Sequence, residues 1–394
     1  MYFKKRLGTL HEKGKVFAWI ALTMALGNAA FWTIFPLVVE DIIQSEVMVG
    51  IFFTVISLII LVVSLLSSVV LRRVSRVYLT KLSFLCCAGL LFLFIFANAI
   101  MDLYYIEVLR SLFALFAGIT LSLYVRDYAS KGTLGKAEGR YYLYANVGWL
   151  IGPLIGGVLG QYVSRDAVFI FSSILYVVSF VIFHFRQRKE GDLIKHVRET
   201  ATLKEIIARN LRDYFKQKAL WKVFAIGLGL SFWWAIHCIY IPLYIMEQGF
   251  GDVTVGIVLA GSIIPLILLE KKIGSLADKH GLRKYLTIGF LIIGAGTILF
   301  QVVPVVTIIL FLMAAVNVGA AFVEPLQETY LFSVVKRKDE ERFYGIFNMS
   351  DPVANVIAPL VAAGFFFLWG YPGLWFGVAG VMLMFMLISL TVKR

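Results

Sequence analysis

Residues 49–71 read Val49-Gly-Ile-Phe-Phe-Thr-Val-Ile-Ser-Leu-Ile-Ile-Leu-Val-Val-Ser-Leu-Leu-Ser-Ser-Val-Val-Leu71, with no charged side chain, and stop at Arg72-Arg73. A helix needs about 20 residues to cross about 30 Å of hydrocarbon. A lipid-facing strand would instead alternate in polarity over about 10 residues. The stretch therefore predicts a membrane-spanning helix, over 47–71. Working outward, similar runs predict spans at 16–39, 79–100, 103–128, 141–163 and 167–185. After a polar stretch come 219–246, 253–272, 284–302, 304–334, 343–368 and 372–391. The 394 residues are 60% hydrophobic and only 15% charged, with mean hydropathy +0.86. Water-soluble cores cannot hide that much apolar surface. The class is an all-α polytopic membrane protein with the lipid bilayer as its surroundings.

The net charge of +13 does not predict a nucleic-acid partner, because the basic residues lie between apolar runs rather than on one patch. Of the 37 basic residues, all but Arg110 and Arg165 fall in or beside the N-terminal tail, the even-to-odd loops or the C-terminal tail. The opposite loops carry Glu40, Asp41, Glu46, Asp102, Asp166, Glu247 and Asp252. This bias predicts both termini on the cytoplasmic side of a cell (inner) membrane. Lys4, Lys5 and Arg6 make a basic start, but the run after Val16 is long enough to be retained as a span. Cys86, Cys87 and Cys238 lie inside apolar runs, so neither a disulfide framework nor a metal site is expected.

The two halves match at a nearly fixed offset. Pro36 pairs with Pro242, Val49-Gly50-Ile51 with Val255-Gly256-Ile257, and Pro153 with Pro359, each 206 residues apart. Tyr78-Leu79-Thr80 pairs with Tyr285-Leu286-Thr287 at an offset of 207. A parallel six-span repeat predicts two six-helix bundles, over 1–185 and 219–394, with a substrate cavity between them. The segment 186–218 is the linker. Its residues Leu203, Ile206, Ile207, Leu211, Tyr214 and Phe215 have helical spacing, and Thr202 with Glu205 reads as a capping box. An interfacial tether and a regulatory docking site are both readings of that helix.

Two motifs add chemistry. After the eighth span comes Gly274-Ser-Leu-Ala-Asp278-Lys-His-Gly281-Leu-Arg283-Lys284, read as a tight two-glycine turn carrying charges that can pair. The fifth span holds Gly148, Gly152, Pro153, Gly156 and Gly157, where small residues let a neighbouring helix approach and the proline bends the backbone. Together these residues resemble the major facilitator superfamily, through its loop signature and its antiporter signature. Arg110 resembles the arginine of the family's third signature. The first-half copy of the loop departs from the pattern: Ser68 to Arg76 has no glycine, and Arg72 stands where Asp278 is found 206 residues later. After Arg110, Ala114 replaces the motif's glycine, and Gly118 comes a turn later.

Ionisable residues at membrane depth are costly and are functional candidates. Arg110 lies about 12 Å along the helix from Asp102, with Glu107 one turn away on the same face. They make either a local ion pair or a cavity cation with its partner. Asn317, Ala321, Glu324 and Glu328 share one face of the tenth span. Asn348, Asp351 and Asn355 share a face of the eleventh. His237 stands beside Trp233 and Trp234 and reads either as a hydrogen-bonded structural residue or as a ligand of the cavity. The resemblance implies that spans 1, 4, 7 and 10 line the cavity, which places Asn28, Trp32, Arg110, Trp234, His237, Asn317 and Glu324 there. It also implies gating at Gly274, Asp278, Gly281, Arg283, Glu328, Asp127 and Arg76, with Asp127 pairing with Arg76 and Glu328 with Arg283. Glu324, Asp351, Glu107 and Arg110 are the proton-coupling candidates.

The expected function is a secondary transporter, exporting amphipathic or organic small molecules against protons, without a cofactor and as a monomer. A proton symporter or uniporter for a small polar metabolite is the alternative. An enzyme is not expected, because no zinc helix, facing aspartates or serine elbow is present. No filter-like loop interrupts a span, so a channel is not expected either.

Overall fold

The computed structural model describes residues 2–128, 134–187, 203–336 and 339–392. In chain order the helices are α1 (Tyr2–Ile43), α2 (Glu46–Arg73), α3 (Arg76–Leu93), α4 (Ile100–Tyr128), α5 (Leu134–Tyr162), α6 (Arg165–Gln187) and α7 (Leu203–Phe215). They continue as α8 (Lys218–Glu247), α9 (Asp252–His280), α10 (Leu282–Val302), α11 (Val306–Ala315), α12 (Asn317–Val334), α13 (Glu340–Phe347) and α14 (Ser350–Leu390). α3 ends in a 3-10 turn at Phe94–Phe96.

Among the described residues, eleven stretches are long and apolar enough to cross a membrane. The last of them, Arg342–Leu390, contains α14, whose 41 residues would extend about 60 Å, twice one crossing. Its backbone breaks at Trp369 and at Gly370, where φ is 60°. A side chain is disfavoured in that left-handed region, so the glycine supplies the turn between two crossings. The stretch therefore holds two spans, which brings the eleven to the twelve of the sequence pattern; α11 and α12 together form one of these, Val306–Val334. The faces turned outward are apolar, with Phe367, Phe311 and Leu268 well exposed. In a bilayer such faces meet lipid.

Two compact units divide the chain. Unit 1 comprises Met1–Ile43, Val62–His196 and Phe250–Ala260; unit 2 comprises Gln44–Leu61, Val197–Gly249 and Gly261–Arg394. Each unit thus includes the first turns of a helix from the other half of the sequence. In unit 1, Phe31, Phe35, Phe94 and Phe169 form an aromatic core with ring centroids 4.5 to 5.9 Å apart. In unit 2, Trp375 packs on Tyr244 and Phe300.

Glycine contacts explain why α5 lies so close to α1. A Cβ at Gly148, Gly152 or Gly156 would come within 2.6 to 2.8 Å of Ala25, Ala29 or Ala30 respectively. Small residues on both sides let the two backbones approach.

In unit 2, α7 packs against α13: Tyr214 is buried with its ring 5.6 Å from Phe343. Arg342 bonds Asn210 at 2.6 Å and forms an ion pair with Asp213. That guanidinium holds the Asp213 carboxyl below the usual carboxylate range. The expected capping residue Thr202 lies outside the described residues.

Candidate functional site

Among the described residues, polar side chains lie inside the spans of both units. In unit 1, α4 presents Glu107 and Arg110 one turn apart. The arginine grips the carboxylate with both Nε and Nη2 at 2.6 Å. Ser111 donates to Glu107 Oε1 at 2.7 Å. The two side chains are 1% and 3% exposed, and the guanidinium lies 4.2 Å from the centre of the Phe31 ring. A bidentate pair of this kind satisfies both charges internally. Tyr176 donates to Asn28 Oδ1 at 2.9 Å. Trp32 is half-buried, edge-on to Phe31 and Phe35.

In unit 2 the polar groups around Glu324 are acidic, and among the described residues no cation pairs with that carboxylate. Glu324 on α12 is half-buried, and its Oε2 is shielded from water without a hydrogen-bond partner. The Trp234 indole on α8 is close enough to act on the same carboxylate, as are the charges of Glu270 on α9 and Glu328. Asp351, at the start of α14, is exposed, with Ser231 on α8 near its carboxylate, and its backbone carbonyl accepts from the Asn355 amide at 3.0 Å. His237 is 2% exposed, with its Nδ1 unpartnered, and lies between Trp233 and Trp234 at ring-centroid distances of 5.6 and 5.4 Å.

Asn317 sits differently from Glu324, although both belong to α12. It is fully buried, accepts from Trp233 at 2.9 Å and donates to the Met313 carbonyl at 3.1 Å. Its polar atoms are thereby occupied within the helix packing.

The loop signature takes a different shape from the expected two-glycine turn. α9 runs on through Gly274 and Asp278 to His280, and Gly281 alone makes the turn, with φ 87°. Only this position demands a left-handed backbone. Asp278 is exposed and Arg283 half-buried. The expected partnership of Glu328 with Arg283 is corrected: Glu328 Oε1 accepts from the Tyr344 hydroxyl at 2.9 Å. α13 lies against α12 and stacks Tyr344 on Phe332, which brings the hydroxyl to the carboxylate. Arg76 lies 5.8 Å from the centre of the Tyr124 ring, and the side chain of Asp127 lies outside the described residues.

The antiporter-signature glycines have two contacts. Gly148, Gly152 and Gly156 meet α1, whereas Pro153 and Gly157 meet the first turns of α9. A Cβ on Gly256 would overlap the Pro153 carbonyl, and one on Gly157 would lie 2.5 Å from the Asp252 carbonyl. In unit 2 the same arrangement recurs between α2 and α14, where a Cβ on Gly50 would lie 2.8 Å from the Pro359 carbonyl. Gly50 and Gly256, like Pro153 and Pro359, are repeat-matched positions.

Two features of the structure are hidden in the sequence. Glu270 sits before Lys271-Lys272 and reads as the polar end of a span, but α9 continues ten residues further to His280, which leaves Glu270 inside the helix. Arg165 reads as a single exception to a charge bias. In the structure it binds Asp252 through Nε and Nη2, both at 3.1 Å, and also pairs with Asp41.

Twelve spans, an internal repeat and charged side chains inside the spans define a multi-pass membrane protein built of two related halves. The chain belongs to the Major Facilitator Superfamily, whose family model matches residues 17–270 and 252–394. An uncharacterized MFS-type transporter of Methanocaldococcus jannaschii is 24% identical over 226 residues, which span 57% of this chain and 58% of that relative. Solved structures share the fold. A bacterial homologue of the human lysosomal transporter Spinster, inward-facing and unoccupied, has a TM-score of 0.71 at 12% identity, over 97% of this chain and 96% of that one. A mutant of the peptide transporter POT with sulfate has a TM-score of 0.77 at 11% identity, over 96% and 94% of the two chains. A mutant of the nucleoside transporter NupG has 0.75 at 11% identity, over 97% and 100%.

Proposed function

We propose that this protein is a proton-coupled secondary transporter of a cell (inner) membrane, with both termini cytoplasmic, which exports amphipathic organic molecules by alternating access. The observation that carries the coupling is Glu324: Oε2 is buried without a partner, and the charges acting on the carboxylate are the like charges of Glu270 and Glu328. A coupling site must hold its proton in one conformation and lose it in another. A carboxylate without a fixed cation can do this, whereas Glu107, clamped by Arg110, has its charge already balanced. Pro325 follows directly and removes a backbone donor from α12, which favours local hydration. Asp351 is the second candidate, since it is exposed and stands near Ser231 of a neighbouring helix.

Direction and substrate follow from the antiporter signature and from the aromatic residues near Glu324. Trp234, half-buried and backed edge-on by the His237 ring, gives that face an aromatic wall. Uptake of a polar metabolite is the second reading, favoured by the fold shared with a peptide transporter and a nucleoside transporter. The test is Glu324→Gln in reconstituted vesicles, because glutamine mimics the protonated acid. It is expected to abolish transport driven by a pH gradient while keeping energy-independent exchange of substrate. If the variant still concentrates substrate using the pH gradient, Glu324 is not the coupling residue and Asp351 takes its place. Counterflow against proton-driven uptake distinguishes export from symport.

A further inference from the structure

The carboxylate of Asp252, at the first turn of α9, is the most enclosed acid among those at its end of the helices. It is 7% exposed and receives two hydrogen bonds from Arg165 at the start of α6, each 3.1 Å. Arg165 also pairs with Asp41 near the end of α1, where the carboxylate is 57% exposed. One guanidinium thus joins three helices. The neighbouring backbone is shaped around this contact: a Cβ on Gly160 would lie 2.6 Å from Asp252 Oδ2, and Gln161 accepts from the Val253 amide at 3.0 Å. Below it, Gly256 rests on the Pro153 carbonyl. The start of α9 is therefore held by an ion pair, a side-chain cap and a glycine crossing, all within unit 1.

Two sequence facts show that the arginine is special to this place. It is the single basic residue in the loops and helix ends that carry the acidic bias. An arginine against that bias needs a local reason, and the paired carboxylates supply one. The repeat supplies an internal comparison. The crossing of α2 on α14 keeps the glycine and the proline carbonyl, but the positions matching Arg165, Asp252 and Asp41 are Tyr371, Glu46 and Glu247. The backbone contact is duplicated, and the cation is present in one copy only.

We propose that Arg165, with Asp252 and Asp41, is a gating latch that fastens the start of α9 to α1, α5 and α6, and that its release is a step of the transport cycle. Arg165 acts on substrate movement through α9 and touches no substrate itself. Closure holds Asp252 in a poorly hydrated pocket, where the bidentate pair is strong; opening must separate the pair and hydrate both charges. Asp41, more exposed, steadies the guanidinium and keeps a partner for it when Asp252 leaves.

The test uses the full-length protein in lipid nanodiscs, with the native cysteines replaced and a reporter at Val255→Cys, a position with no exposure beside the latch. The readout is the rate of labelling by a water-soluble maleimide, without substrate or pH gradient. Asp252→Asn and Arg165→Gln are each expected to speed labelling about tenfold, the change expected for a loss of about 1.4 kcal/mol. Asp41→Asn, which leaves the bidentate pair, is expected to change it less than threefold, and Arg165→Lys to fall between. Unchanged labelling in folded Asp252→Asn overturns the latch. If that variant elutes as aggregate, Arg165→Lys decides: labelling equal to the parent overturns it, and faster labelling supports it. Because no proton gradient is involved, failure of Glu324→Gln to uncouple transport leaves this result standing.

Discussion

The buried pair on α4 gives a prediction whose size follows from its geometry. Arg110→Met removes both 2.6 Å bonds to Glu107 and leaves that carboxylate, 1% exposed, without its cation. Ser111 still donates to it, but one hydroxyl does not balance a charge. Breaking a buried pair from one side costs about 3–5 kcal/mol, whereas replacing both partners by apolar residues of similar volume is near neutral. The guanidinium also leaves Phe31, 4.2 Å away, a contact worth about 0.5–2 kcal/mol. Arg110→Met is therefore expected to lose about 3–5 kcal/mol, and Glu107→Leu with Arg110→Met to return to within about 2 kcal/mol of wild type. Unfolding of the purified protein in detergent, followed by tryptophan fluorescence, measures both. A double variant as unstable as the single refutes the reasoning, since the loss then lies in contacts of Arg110 other than Glu107. Transport by the double variant tests the role: a brace leaves turnover in place, and an inactive but stable double variant makes Arg110 a cavity cation.

Two further outcomes concern the signature motifs. Gly152→Leu places a Cβ 2.6 Å from the Ala29 Cβ and 2.8 Å from the Leu26 carbonyl, so α1 and α5 must part. It is expected to destabilise by at least about 1–3 kcal/mol and to stop transport, and normal transport with normal unfolding removes the argument from that helix contact. Asp278→Asn alters an exposed residue and is expected to keep stability within about 0.5 kcal/mol, to slow turnover and to leave substrate affinity within a few-fold; unchanged turnover in vesicles counts against a gating role.

The spans were legible because a helix in lipid must satisfy its backbone internally and show apolar side chains outward. Even the break at Gly370 followed from the length of the apolar run. Partnerships were less legible. Arg110 with Glu107 could be read, because a helix brings residues three apart together. Glu328 with Tyr344 could not, because it depends on how α13 lies on α12. Glu270 was hidden by its neighbours: Lys271 and Lys272 made the segment look like a helix end, while the helix continued and kept the acid within reach of Glu324, on which its charge acts. Arg165 gave a signal, an arginine on the acidic side of the charge bias, but its partners are separated from it by 124 and 87 positions.

The same distinction explains which parts of the repeat survive in the sequence. Val49-Gly50-Ile51 and Val255-Gly256-Ile257 match because each glycine lies where a backbone carbonyl, of Pro359 or of Pro153, leaves no room for a Cβ. Close approach restricts the residue type in both copies alike. The charged positions have no such shared restriction. Arg110 finds its balance in Glu107, while 206 residues later Val316 stands at the start of α12 and carries no charge. Glu324, two turns further along α12, is left to like-charged neighbours. Arg165 likewise corresponds to Tyr371. Duplicated packing therefore supports two unlike chemistries: a neutralised, clamped cluster in unit 1 and an acidic one without a clamping cation in unit 2. A proton whose binding is to differ between conformations, as the proposed coupling requires, is better served by the second, where among the described residues no cation pairs with the carboxylate.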